Sequence, residues 1–278
     1  VSAGTLSGAS DGNLGSGALT LGAGTPLAVT SAATIDNNIA LSGSATVNTG
    51  ANTTLSGVIS GGNNLTKTGA STLTLTGNNT YSGSTSVNTG TLSIASDSNL
   101  GTGPLNLANG TILQITGNTT IDNALALTGV ATINAGAAAT LSGVISGSGS
   151  LTKSGSGSLT LSASNTNLGN TTVAAGTLVV DGSTSSATTV ANGATLAGSG
   201  TLGGDVTVQN GGTLSPGNSG TGTLTVNGNL TLDAGSTLAV DINGASAGTG
   251  YDQIVVNGNV DVSGATLSVN HGYAAGNG

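Results

Sequence analysis

The chain has 278 residues, with 50 glycines, 36% hydrophobic residues and only 4% charged residues. This hydrophobic content with so little charge argues against a disordered chain. A net charge of −8 offers no basic patch for nucleic acid or anionic lipid. Phenylalanine, tryptophan, methionine and cysteine are absent, so any core consists of aliphatic side chains and no disulfide supports it.

The first 172 residues are a duplication. Residues 1–86 align with residues 87–172 without a gap, and about 50 of the 86 positions are identical. The only two lysines, Lys67 and Lys153, are equivalent positions in the two copies. A third copy begins at Val173 and then diverges. We therefore predict unit 1 at 1–86, unit 2 at 87–172 and a divergent C-terminal region at 173–278, with a change of pattern near residue 185.

Short β-strands are predicted along both units, because apolar residues alternate with threonine and no apolar period of 3.6 is present. In the second unit they are predicted at residues 91–94, 104–108, 111–116, 121–127, 131–135, 140–146, 150–153, 158–162, 171–174 and 177–180.

These strands favour an all-β solenoid over a β-sandwich. A sandwich also has short strands at regular spacing, but it does not require one long block to recur in register. A solenoid does, because each coil contacts only its neighbours. Three strands per turn predict turns of about 22 to 29 residues and roughly 10 to 13 coils in all.

After residue 185 the pattern continues in a new form. Three segments that start at Gly204, Gly228 and Gly258 each place two alternating apolar residues before a turn and a Thr-Leu pair. We interpret them as further coils with different corners.

Candidate metal and catalytic residues are few. Three clusters of aspartate and asparagine are better explained as Asx turns than as calcium sites, because calcium usually needs several spaced carboxylates. They are Asp11 with Asn13, Asp97 with Asn99, and Asp241 with Asn243 and Asp252. The single histidine, His271, has no nucleophile or acid grouped with it. We therefore predict no metal, no cofactor and no enzyme activity.

The lysines and Tyr81 are interpreted as structural. Each lysine is expected to lay its stem over a coil and to place its ammonium on loop carbonyls, rather than to bind an anionic partner. Tyr81 is expected to cover a coil corner with its hydroxyl in water, rather than to contact a ligand. Outward threonine, serine and asparagine side chains either solvate the sheet or form an uncharged hydrogen-bonding wall.

The segment LTKTGASTLTLTGNNTYSGSTSVNTGTLSI, from Leu65 to Ile94, resembles the passenger-associated transport repeat of bacterial autotransporters. The second copy departs from this pattern where Asn167 replaces the tyrosine. The residues that carry the motif are Lys67, Gly69, Asn79, Tyr81, Gly83 and Gly90 in the first copy, and Lys153 and Gly155 in the second.

The resemblance implies a right-handed parallel β-helix passenger. It is expected outside the cell, anchored at the outer membrane of a Gram-negative bacterium and exported by type V secretion. A C-terminal β-barrel translocator is expected beyond this chain. Expected partners are a host or bacterial cell surface, as in a biofilm, or a second copy bound through the side walls, with no nucleic acid and no direct membrane insertion.

Three functions stay open at this stage. The first is adhesion or self-association by a surface rod. The second is a spacer, export module or extracellular fibre that holds out an effector domain, with the C-terminal region acting like an autochaperone. The third, ice binding by flat threonine ladders, is disfavoured because it requires a constant coil length and the spacing of this sequence is uneven.

Overall fold

The computed structural model describes residues 4–8 and 10–272, and these residues form a parallel β-solenoid. Every pair of named strands is parallel, and the longest sheet contains 12 strands, one from each turn. The predicted all-β solenoid with 10 to 13 coils is confirmed. Residues 1–3, Ala9 and residues 273–278, which include Tyr273, lie outside the described residues.

The chain visits three faces in a fixed order in each turn. Face 1 contains Leu6–Gly8, Pro26–Val29, Ala45–Thr49, Leu65–Thr68, Thr85–Val87, Leu105–Leu107, Leu125–Leu127 and Ile145–Ser146, and later Ser183–Thr184, Thr201–Leu202, Thr223–Val226 and Gln253–Val256. Face 2 contains Ala33–Ile35, Thr53–Leu55, Thr72–Leu75, Thr91–Ile94, Ile112–Ile115, Ala131–Ala135, Leu151–Ser154, Thr171–Val173, Thr188–Val190, Val206–Val208, Leu230–Leu232 and Val260–Asp261.

Face 3 contains two sheets. Its strands are Leu19–Leu21, Ile39–Leu41 and Ile59–Ser60, and then Thr119–Ile121, Ala139–Leu141, Ser158–Leu161, Gly176–Val180, Ala194–Gly198, Thr213–Pro216, Thr237–Ile242 and Thr266–His271. Between the two sheets the stacking continues without regular strands, as in the 2.8 Å bond from the Thr80 N–H to the Ile59 carbonyl. Two short 3-10 turns are present at Asp11–Asn13 and Asp97–Asn99.

One turn takes about 20 residues in both units, which is shorter than predicted. Val47 pairs with Lys67, and Lys67 pairs with Val87. The turn shortens where Val173 pairs with Val190, and it lengthens where Val208 pairs with Leu232 and Leu230 with Val260. The predicted range of 22 to 29 residues is therefore wrong for most of the solenoid.

The predicted turn length was too long because two of the predicted strands each correspond to two separate strands in the structure. Residues 121–127 and 140–146 bend at corners formed at Asn123 and Gly143, and each half lies on a different face. A Cβ at Gly143 would overlap the Asn123 carbonyl of the preceding coil, so glycine allows the coils to stack there. The other eight predicted strands of the second unit are found within one or two residues of their predicted ends.

The core lies inside the coil and is almost entirely aliphatic. Along Thr72–Leu75, for example, both leucines are fully buried and both threonines face outward. Each coil contributes similar residues, so the leucine, valine and isoleucine side chains stack in columns along the axis. In the last turn, strands still form on all three faces, but most of their side chains are exposed.

The duplicated units do not lie on the same faces. Lys67 belongs to face 1, whereas its equivalent Lys153 belongs to face 2. The same advance by one strand takes Ala33–Ile35 on face 2 to Thr119–Ile121 on face 3. One unit of 86 residues therefore spans four turns and one additional strand, and the second unit is turned by one face relative to the first.

Candidate functional site

The repeat motif forms a buried corner in which a lysine ammonium is surrounded by oxygen atoms. Lys67 is 0% exposed, and its Nζ donates to the Thr49 hydroxyl at 2.8 Å, to the Thr68 carbonyl at 3.1 Å and to the Gly69 carbonyl at 2.6 Å. The three donors of the ammonium are thus all used. The expectation that the ammonium contacts loop carbonyls is confirmed, whereas the expectation that the stem covers the outside of the coil is wrong, because the side chain is buried.

Lys153 forms the same arrangement on the next face. It is also 0% exposed, and its Nζ donates to the carbonyls of Ser154, Gly155 and Ala175, each at 2.9 Å. Ala175 belongs to the following coil, so its bond to Lys153 joins two turns. No ion pair with an acid is needed, since carbonyl oxygens supply the partial negative charge.

The buried position changes the acidity of both lysines. Burial lowers the pKa of Lys67 and of Lys153 from 10.5 to about 8, because the charged ammonium loses its hydration. The oxygen atoms around each Nζ favour the charged form and limit this effect. Both lysines are inaccessible to an anionic partner in the folded chain.

Glycines make this corner possible. Gly69 and Gly155 have φ of 84° and 80°, values that side-chain-bearing residues rarely adopt. Their carbonyls accept the lysine bonds, and a Cβ at Gly90 or Gly176 of the next coil would overlap those same carbonyl groups. The motif spacing from Gly69 to Gly90, and from Gly155 to Gly176, is therefore the spacing between two stacked turns.

Asn79 joins three coils at the next corner. Its Oδ1 accepts the Ile59 N–H at 2.7 Å from the coil before, and its Nδ2 donates to the Asn99 carbonyl in the coil after. Gly83 follows, and a Cβ there would overlap the Asn63 carbonyl. These two motif residues are thus contacts between coils rather than local turn residues.

Tyr81 lies inside the coil. It is fully buried, and its hydroxyl hydrogen-bonds to the Thr85 hydroxyl at 2.6 Å. Burial raises the pKa of the Tyr81 phenol, and the Thr85 bond opposes this rise. The expectation that its hydroxyl lies in water is wrong, because the hydroxyl is buried and bonded to Thr85.

The second unit lacks this tyrosine. Asn167 takes its place, is buried, and donates from Nδ2 to the Gly169 carbonyl at 3.1 Å. The apolar residue that follows, Leu168, is 77% exposed and does not fill the space. The corner of the second unit is therefore polar where that of the first is aromatic.

Asparagine and aspartate side chains also bind the next coil along the outer corners, which sequence analysis missed. Each accepts a backbone N–H of the following coil that has no strand partner. The pairs are Asn38 with Val58, Asn52 with Thr72, Asn64 with Ser84, Asn109 with Val130, Asn118 with Ala138, Asp181 with Ser199 and Asp205 with Asn229. The available signal was the presence of asparagine or aspartate in the short segments between strands.

Two threonine ladders run along the outside of the second half of the rod. On face 2, six consecutive coils place a threonine at the same outward position, namely Thr132, Thr152, Thr172, Thr189, Thr207 and Thr231. On face 3 the matching row is Ser158, Thr177, Thr195, Thr213, Thr237 and Thr266. We call these rows the face 2 ladder and the face 3 ladder.

A trough of about 490 Å³ lies on the face 3 ladder. Its floor is formed by hydroxyl side chains that include Thr160, Thr177 and Thr195, and one side is the loop at 217–219. The loop contains Ser219, whose φ of 62° is the one positive value among the described non-glycine residues. All the lining side chains are uncharged, so the trough offers hydrogen bonds alone.

The candidate metal and catalytic residues have other roles. Asp252 accepts the Gly222 N–H and the Asp241 N–H, both at 2.8 Å, and Asn270 donates to Asp241 at 2.9 Å. Asp97 and Asp11 begin 3-10 turns rather than Asx turns. Within residues 4–8 and 10–272, no three His, Cys, Asp or Glu side chains come close enough to hold a metal ion. His271 is exposed at the end of the last strand.

The lysine corners coincide with the repeats found by comparison with known families. Residues 65–94 and 151–180 match the family model of the passenger-associated-transport-repeat. No curated protein matches the chain. In the described part of the chain, no helix is long and apolar enough to cross a membrane.

These observations define first a class of protein, a β-solenoid whose repeat motifs build its interior. The matched repeats then specify it further: the chain contains two passenger-associated transport repeats, and these repeats together with the solenoid support an autotransporter passenger domain. The eight motif residues all act inside the rod or between its coils.

Proposed function

We propose that this passenger domain is a cell-surface rod that adheres or self-associates through its outer walls. The observation that carries the proposal is the pair of threonine ladders, which give an uncharged hydroxyl surface in register over six coils. Successive hydroxyls in each ladder are one strand spacing apart, roughly 4.8 Å, and this spacing matches the repeat of a second rod of the same kind. The surface is outside a Gram-negative cell, and no catalysis is involved.

The test uses beads coated with the chain. Beads with the parent chain should clump or bind cells, and this should decrease when Thr152, Thr172 and Thr189 of the face 2 ladder are changed together to aspartate. The matched control changes three outward residues of face 1, namely Thr66, Ser86 and Asn106, to aspartate. Loss of clumping in the control alone, or no clumping by the parent, would contradict the proposal.

The second candidate is a spacer that holds out an effector domain or supports export. It is favoured by one observation: the motif residues act inside the rod or between its coils, so the repeat motif itself offers no side chain to a ligand. Under this function the parent beads stay dispersed and do not bind cells. The residues from 173 onward then act in folding, as their autochaperone-like role would require.

Ice binding is not favoured, although the reason differs from that expected. The ladders remain in register across turns of different length, so uneven spacing does not disrupt them. The row beside the face 2 ladder, however, contains Gln114, Asn134 and Ser154 in register. A flat pair of identical threonine rows is thus absent from that part of the face.

A further inference from the structure

The corner between face 1 and face 2 near residue 186 contains buried hydroxyl groups with no partner. Thr184, Ser186 and Thr188 are 4%, 8% and 1% exposed, and none of their hydroxyls has a hydrogen bond within the described chain. They alternate along one segment, so all three point inward. Buried polar groups are almost always paired, with protein or with water.

The three hydroxyls make no hydrogen bond to the described layers above or below. Thr184 pairs with Leu202, and Thr188 pairs with Val206, so the coil above is aliphatic. In the coil below, Thr188 pairs with Thr171, and the next residue beneath that is Leu151. The hydroxyls thus lie under aliphatic side chains and above the buried polar side chains of Asn165 and Thr171.

These hydroxyls lie where the second unit has lost volume. In the first unit the corner equivalent to that of Asn167 is filled by Tyr81, which is buried. In the second unit the aligned residue is Asn167. The Ser185 hydroxyl donates to the Asn167 carbonyl at 2.7 Å, which shows that these two segments still stack. A large side chain has therefore been replaced by a smaller polar one beside these hydroxyls.

We propose that ordered water molecules bind in this corner. These waters would accept hydrogen bonds from the hydroxyls of Thr184, Ser186 and Thr188 and donate hydrogen bonds to them. Asn167 lies beside this site. A buried water needs two to four polar partners, and this corner offers at least that many. No ionisable side chain is among these residues, so the bound species is neutral water rather than a metal cation, which would favour carboxylates.

The direct test is a high-resolution crystal structure of the chain. We expect at least two ordered waters within about 3.2 Å of the three hydroxyls, a distance typical of hydrogen bonds. An empty corner, or a site with the short, regular contacts of a metal ion, would overturn the proposal. This outcome does not depend on whether the rod is adhesive.

Variants give a second test, because the urea midpoint of unfolding should change in opposite directions for a hydrated corner and a dry corner. The double change Thr184→Val and Thr188→Val keeps the side-chain shape and removes two hydroxyls. If waters bind there, the urea midpoint of unfolding should fall. If the corner is dry, the hydroxyls are unpaired and their removal should raise the midpoint, which would overturn the proposal.

The tyrosine position provides a matched pair of changes. Asn167→Tyr should displace the waters, and the crystal structure of this variant should lose them while the rest of the coil is unchanged. The reverse change, Tyr81→Asn, should admit water to the equivalent corner of the first unit. Waters that persist beside the new tyrosine, or a dry corner in Tyr81→Asn, would contradict the assignment.

Discussion

At the scale of single residues, the two lysines make the stability of the rod depend on pH. Each ammonium is buried, and its pKa of about 8 lies below the value of 10.5 for a free lysine. Between these values the unfolded chain binds more protons than the folded chain. The free energy of unfolding therefore rises with pH across this window.

We expect the urea midpoint to be higher at about pH 9.5 than at about pH 7.5, by an amount equivalent to about 1–3 kcal/mol. Above about pH 10 the free energy of unfolding should stop rising. The pKa of Tyr81 is raised in the folded chain, so the folded chain keeps a phenol proton that the unfolded chain loses. The double variant Lys67→Met, Lys153→Met should lack this dependence. A midpoint that is flat or falls between these two pH values in the parent would contradict the expectation.

The glycines between coils give a second prediction. Gly83→Ala should destabilise the chain by about 1–3 kcal/mol, because the new Cβ would overlap the Asn63 carbonyl and push two coils apart. Gly62→Ala is the control, since the nearest atom outside its chain neighbours is the Ser82 hydroxyl at 3.9 Å. Thermal unfolding of both variants would measure the difference, and equal stability would disprove the close approach.

At the scale of a strand, the alternation of inward and outward residues determines which changes the fold tolerates. Leu75→Asp should prevent folding, or cost more than about 4 kcal/mol, because it buries an unpaired charge in the core. Thr74→Asp, the outward neighbour, should cost about 1 kcal/mol or less. Circular dichroism and urea unfolding of the two variants would measure this, and equal losses would mean that the strand is not oriented as described.

The alternation also explains how much could be predicted from the sequence. Strands such as Thr91–Ile94 were predicted well because their signal lies within four residues. The corners at Asn123 and Gly143 were not, because their contacts are with residues one turn away. Such contacts are invisible until the turn length is known.

The buried lysines were missed for a different reason. Leu65 and Lys67 are two residues apart in one strand, so the alternation already placed the lysine on the inward side. The general rule that lysine stays at the surface was given more weight than this local pattern. Loop carbonyls were predicted as the partners of the ammonium, but the sequence alone does not show that the turn at Gly69 places them inside the coil.

At the scale of the whole molecule, equivalent residues of the two units face different directions. Spin labels at Thr66 and Thr152, which are equivalent, should be farther apart than labels at Thr66 and Ser146. The second pair lies four coils apart in one row of face 1, roughly 19 Å along the axis. The first pair is separated along the axis by a similar amount and also around it. Equal distances would show that the units share one face.

This turn by one face has a consequence for how such a protein can change in evolution. Near-identical blocks in a gene are gained and lost by unequal recombination, one whole block at a time. Each added block would lengthen the rod by roughly 21 Å and rotate everything after it by a third of a revolution. Sister strains that differ by one block would therefore present different walls beyond the insertion, and only a change of three blocks would restore the original orientation.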